Sequence, residues 1–293
     1  MRVDALVARW LTEVLGPGFV PVRSLSFGIT SELELVEADG APFVLRRYTD
    51  RERAAQHPGL VDDEVRALEA ARDVLGDLVP RPVAWDPSGA ETGVPALLMT
   101  YLPGTAQIHG LDPVALVEPL TRLHTAPLSS RLPSYRSWLW HADARVPEWS
   151  VRPEAWARLV ERTTAPEPPG TVRFLHRDFH PGNLLWQNGR LSGIVDWASA
   201  CRGPRGVDLA HTRCNLALVD GVEAAERFLL EYVRANPSYR HDPWWDAAEL
   251  LTWVDDFAGV LAFNAFGAAL DVVLLRSRAD DYADTVSRQV TAA

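Results

Sequence analysis

Short runs of alternating apolar and polar residues dominate the first third of the chain. Between Val22 and Val36 the alternation places Leu33 and Leu35 on one face and is broken at Gly28, predicting strand structure around a turn. Asp39-Gly40 predicts a second turn, after which Phe43-Val44-Leu45 opens another strand. From Asp62 to Leu75 the period changes: Val65, Leu68, Ala71 and Leu75 recur at helical spacing. Ala96 to Tyr101 reads as a buried strand ending at Pro103-Gly104. Beyond Asp112 the pattern turns helical, with helices expected over Pro113–His124, Pro153–Arg162, Val222–Ala235 and Pro243–Arg276. One hairpin interrupts them, because Leu184–Gln187 and Arg190–Val195 flank Asn188-Gly189, a two-residue pair suited to the left-handed turn that joins antiparallel strands. The expected fold class is α+β. A small N-terminal lobe of antiparallel sheet plus helix (1–103) precedes a larger, mostly helical lobe (104–293) that contains the hairpin.

Composition narrows the function. The 293 residues are 47% hydrophobic, enough for one large or two modest cores. A net charge of −10 argues against a nucleic-acid partner, whose phosphates demand clustered positive charge, and is compatible with a cationic ligand. All 29 basic residues other than histidine are arginine, so any cation that grips phosphate must be arginine. Cys201 and Cys214 form no paired-cysteine motif, which predicts reduced thiols and a cytoplasmic protein. Met1 to Gly16 reads as an amphipathic helix, since Asp4 and Glu13 interrupt its apolar positions. Phe257 to Leu270 contains 14 uncharged residues, too few to span a bilayer, and predicts a buried helix with no membrane partner.

The chemistry is concentrated in Leu175-His176-Arg177-Asp178-Phe179-His180-Pro181-Gly182-Asn183, followed by Ile194-Val195-Asp196-Trp197. Phosphoryl transfer needs one carboxylate facing the attacking hydroxyl, with a second carboxylate and an amide oxygen holding Mg²⁺ against nucleotide phosphates. Asp178, Asn183 and Asp196 have that composition. The segment resembles the catalytic signature of the protein-kinase-like fold. With His-Pro-Gly-Asn, and Asp-Trp in place of Asp-Phe-Gly, it is similar to the aminoglycoside phosphotransferase and choline kinase branch. Gly203-Pro204-Arg205-Gly206-Val207-Asp208-Leu209-Ala210 looks like a further segment of that branch.

The resemblance implies that Asp178 is the catalytic base and that Asn183 and Asp196 are metal ligands. Asp208 would brace the catalytic loop through backbone hydrogen bonds and His176 would hold it. His180 would either pack in the loop or touch the substrate. It also implies a nucleotide site in the N-terminal lobe for ATP, or GTP. Arg46 stands where protein kinases carry a phosphate-binding lysine, a departure that keeps the charge but changes its geometry. Arg47 should leave the strand on the other face. Glu64 is the expected partner of Arg46, with Asp62 and Asp63 as rivals. Gly28, Thr30 and Ser31 would contact phosphates in a loop that lacks the glycine-rich signature. Met99, Thr100 and Leu102 would line the adenine.

The acceptor, a small molecule bearing a hydroxyl, is expected in the helical lobe, with Asp255 and Asp256 as candidate contacts. The alternatives are a protein kinase, disfavoured by the absence of an activation segment after Asp196, and a nucleotide-binding module without catalysis.

Overall fold

The computed structural model describes residues 4–25, 31–137, 144–254 and 256–292. The expected contacts of Gly28, Thr30 and Asp255 therefore fall outside the described residues. The chain divides into two compact units, Met1–Gly104 with Ser192–Ala198, and Thr105–Leu191 with Ser199–Ala293. The short segment carrying Asp196 groups with the first unit.

The first unit contains α1 (Ala5–Leu15), β1 (Val20–Ser24), β2 (Glu32–Ala38), β3 (Ala41–Arg47), α2 (Arg51–Gln56), α3 (Leu60–Leu75), β4 (Pro82–Asp86) and β5 (Ala96–Thr100). Its five strands form one antiparallel sheet in the order β1-β2-β3-β5-β4. Residues Val7, Trp10 and Leu11 of α1 pack on Val36, Leu45, Ala96 and Leu98 of the sheet. Successive side chains on a strand leave opposite faces. Leu45 therefore enters this apolar cluster while Arg46 turns to the other face and meets Glu64 of α3.

The second unit contains β6 (Thr105–Ala106), α4 (Val117–Thr125), α5 (Pro153–Thr163), β7 (Val172–Leu175), β8 (Leu184–Gln187), β9 (Arg190–Ile194, whose last residues belong to the first unit), β10 (Cys201–Pro204), α6 (Gly206–Asp220), α7 (Val222–Ala235), α8 (Trp244–Leu251), α9 (Ala258–Leu261) and α10 (Val272–Ala292). Asn188 and Gly189 join β8 to β9 with φ of 51° and 72°, both in the left-handed region the two-residue turn requires. β7 and β10 pair antiparallel and lead into α6. That helix is buried along nearly its whole length, from Gly206 to Val219.

Two expectations need correction. No single helix runs over Pro243–Arg276, and Phe257–Leu270 is not a core helix. The chain leaves α8 after Leu251, forms the single turn α9 and a 3₁₀ segment Ala262–Phe266, and starts α10 only at Val272. Gly267 and Ala269 have φ of 82° and 52°, which stops helix propagation. The Asn264 side chain then closes the turn by donating to Leu270 O at 2.8 Å and accepting from Leu270 N at 2.7 Å. Among the described residues no helix is long and apolar enough to cross a membrane.

Candidate active site

In the first unit the expected cation and carboxylates come together around Arg46. Its Nη1 donates to Glu64 Oε1 at 2.7 Å and to Asp196 Oδ1 at 2.9 Å. Tyr48, two residues further on and just past the end of β3, donates its hydroxyl to the other oxygen of Glu64. Burial disfavours the charge on Arg46, but Asp196 and Glu64 outweigh it and push the guanidinium pKa further up. Burial pushes Glu64 up against the pull of Arg46, and it raises Tyr48, with Glu64 adding to the effect. Arg47 leaves on the opposite face and pairs with Glu32 at 2.6 Å. Asp62 receives the Trp85 indole N–H at 3.2 Å and Asp63 pairs with Arg66 at 2.5 Å, so neither is the partner of Arg46.

Asp196 follows β9 with φ of 64°, an unusual conformation for a residue with a side chain and one that clusters at functional positions. Met99 is buried in β5. The Thr100 amide donates to Arg81 O at 2.9 Å. A hollow of about 420 Å³ borders this segment, lined by Arg72, Arg81, Thr100, Leu102, Pro103 and Ser192. None of Arg46, Glu64 or Asp196 lines it, so it is not where the charged cluster opens. Ser31 is buried at the start of β2.

The second unit holds the loop between β7 and β8. Asp208, in the first turn of α6, is fully buried and accepts from the backbone N–H of His176 at 2.9 Å and of Arg177 at 2.7 Å. His124 of α4 completes its shell at 3.1 Å. Burial alone would raise the Asp208 pKa, but the hydrogen bond and charge of His124, with the His176 ring and amide, lower it. The clamp holds Arg177 at φ of 74° and so directs Asp178. His176 is buried, accepts weakly from Asp178 N at 3.3 Å, and stands edge-on to Phe179.

Asn183 Nδ2 donates to Asp178 O at 2.9 Å and to Asp178 Oδ2 at 3.1 Å. With its nitrogen committed, the amide oxygen is the atom left for a cation. Asp178 Oδ1 faces two rings, His211 Nε2 at 3.1 Å and His180 Nε2 at 3.4 Å. Burial would raise the Asp178 pKa; His180 and His211 reverse this and hold it well below the usual carboxylate range. Asp178, His180 and His211 are close enough to share a metal ion. Their hydrogen bonding fits an ion-pair cluster better. His180 Nδ1 accepts from Gly182 N at 3.1 Å and its Nε2 lies 3.2 Å from Asn183 Nδ2, so both ring nitrogens already have protein partners.

Three side chains here escaped sequence reasoning. Tyr48 carried no signal. Glu249 is one of two buried acids on α8. His211 did carry a signal, because it follows Asp208 by three residues and so shares its helix face. Asp256 is exposed and accepts from Ala258 N at 2.7 Å, capping α9.

The sequence matches the phosphotransferase enzyme family (APH) over residues 22–251, and the chain belongs to that family. Comparison with curated proteins gives no match. Among solved structures, aminoglycoside phosphotransferase APH(4)-Ia superposes with a TM-score of 0.61 at 19% identity, covering 97% of this chain and 98% of that one. Aminoglycoside-3'-phosphotransferase of type VIII gives 0.60 at 22% identity, over 85% of this chain and 98% of that one. Macrolide 2'-phosphotransferase MphH from Brachybacterium faecium gives 0.58 at 18% identity, over 96% and 97%. At these identities the likeness is one of fold, the protein-kinase-like α+β fold.

Replacing Asp208 by Asn sets an amide N–H₂ against donors that need an acceptor. We expect Asp208→Asn to lower the stability of the second unit by about 2–4 kcal/mol, read by urea unfolding. The carboxyl is lowered from 3.8 on folding, so its contribution is present above that value and is lost as pH falls through the folded one. The variant should lack that component of acid unfolding.

Proposed function

We propose that the protein is a Mg²⁺-dependent kinase that transfers the terminal phosphoryl group of ATP to a hydroxyl of a small molecule. The observation that carries this reading is the Asp178–Asn183 pair. One carboxylate is held ionised in a loop braced by Asp208, and the amide that binds it keeps its oxygen available. That is the equipment of a base next to a metal ligand.

In this reading Asp178 receives the hydroxyl proton as the oxygen attacks phosphorus. Asn183 and Asp196 offer an amide and a carboxylate oxygen, the hard donors that suit Mg²⁺. The fit rests on the committed Asn183 nitrogen and on the Asp196 carboxylate, whose side chain is 39% exposed. When bound, Mg²⁺ supplies counter-charge to the phosphates. Arg46 takes the place of the phosphate-binding lysine, with Glu64 and Tyr48 holding it in register, and the backbone near Thr100 and Leu102 takes the base. A thermostable mutant of APH(4)-Ia, a neighbour in fold, has been solved as a ternary complex with ADP and hygromycin B. That pairing and the net charge of −10 favour a polyhydroxylated cationic acceptor such as an aminoglycoside, with small metabolic alcohols the other class. ADP release measured across aminoglycosides and simple alcohols tests the reading, and no turnover with any acceptor would count against it.

Asp178→Asn should lower turnover by about 10²–10⁴-fold while calorimetry finds nucleotide affinity nearly intact. If affinity collapsed and turnover persisted, Asp178 would not be the base. Asp196→Ala should instead lose the Mg²⁺ dependence of nucleotide binding; a metal titration like that of wild type would remove Asp196 from the ligand set. Arg46→Ala should cut kcat/KM at least about tenfold, or about 1.4 kcal/mol. Arg46→Lys should recover part of this, since a point charge survives without the bidentate fork. Arg47→Ala, on the other face of β3, should do much less; the reverse order in steady-state kinetics would refute the assignment.

A further inference from the structure

His211 lies in the buried interior of α6 with a carboxylate against each ring nitrogen. Nδ1 is 2.8 Å from Glu249 Oε1 on α8, and Nε2 is 3.1 Å from Asp178 Oδ1. Carboxylates only accept, so a ring meeting one at each nitrogen must donate from both. Asp178, His211 and Glu249 thus form a continuous chain of alternating charge, anchored at its far end by a helix that takes no part in the loop. Other groups face the ring as well. His180 packs beside it with ring centres 5.8 Å apart, Asn215 Nδ2 lies 3.3 Å from Nε2, and Asp208 is one turn back on the same helix. Arg177 comes within 4.0 Å of Glu249.

We infer that His211 is a positioning residue which, clamped by Glu249, fixes the Asp178 carboxylate through Oδ1 in the orientation that the transfer requires. The inference rests on the proposed role of Asp178. With Oδ1 bound to His211 and Oδ2 to Asn183, the carboxylate is held against rotation about its terminal torsion. Holding a base at a fixed angle is worth rate because small misplacements are costly. Burial opposes the charge on His211, but Glu249 and Asp178 overcome it and raise its pKa from 6.5 to about 9. The anchor therefore persists at neutral pH and is lost as pH rises through that value.

The test is the pH profile of kcat for wild type, His211→Gln, His180→Gln and Glu249→Gln, with nucleotide KM measured alongside. For His211→Gln we expect kcat to fall at least about tenfold with nucleotide KM unchanged, and the alkaline limb of the profile to vanish. For Glu249→Gln the alkaline limb should move down toward the ordinary imidazole value of 6.5, because the clamping carboxylate is gone. A Glu249→Gln profile with the wild-type limb, or full kcat in His211→Gln, overturns the inference. So does a result in which His180→Gln, and not His211→Gln, carries the loss. Should His211→Gln fail to fold, ¹⁵N NMR of labelled histidine in the wild type decides. One ring protonated at both nitrogens at pH 8, and lost in Glu249→Gln, supports the inference; only neutral rings at pH 8 overturn it. Turnover surviving in Asp178→Asn would strike at the role of Asp178 and not at the clamp.

Discussion

Asp208 has no access to water, and its carboxylate remains tolerable there only because donors surround it. Two consecutive backbone amides and a buried imidazole supply them, and none can be removed without stranding a charge. The second unit's chemistry hangs from this arrangement. Asp208, His211, Thr212 and Asn215 recur on one face of α6, at intervals of three and four residues. The first binds the backbone of residues 176 and 177, the second the side chain of Asp178, and Thr212 the carbonyl of Phe179 at 2.8 Å. A loop that would otherwise sample many conformations is thus held at successive points by one rigid helix, which is how a left-handed Arg177 is sustained.

The first unit applies the same constraint to a cation. Arg46 is buried in a sheet whose next residue inward, Leu45, faces an apolar cluster. Two carboxylates and the Tyr48 ring, 6.0 Å from the guanidinium, accommodate it. Slippage of β3 by one residue would bury Leu45 against Glu64 and drive Arg46 into the α1 cluster, so register and electrostatics enforce each other.

What could be read from the sequence was what depends on local spacing. The motif from His176 to Asn183, the Asn188-Gly189 hairpin and the strands β2, β3 and β5 followed from neighbours in the chain or regular periods, whereas the Arg46–Glu64 pairing, 18 residues apart, came from the family resemblance. Helix α6 did not, because a helix buried on every side has no polar face and therefore no amphipathic period to detect. The break after α8 was hidden for a related reason: the uncharged, mostly apolar residues at 257–270 look like a continuous helix until Gly267 and the Asn264 side chain turn the chain. The Ser192–Ala198 segment groups with the first unit through packing between distant residues, which no local pattern encodes. The spacing of His211 from Asp208 becomes a signal only once α6 is known to be a helix, and its partner Glu249 lies 38 residues away.

A chain without lysine has a consequence for how its buried cation can be handled chemically. An ammonium group can lose its proton and become a nucleophile, so acylating, carbamylating and aldehyde reagents silence it. The guanidinium of Arg46 remains protonated, and the flanking acids strengthen that state. Amine-directed affinity labels would find no side chain to capture anywhere in this protein. Occupancy at β3 would have to be followed by reagents for arginine, such as vicinal diketones, or by methods that form no covalent bond.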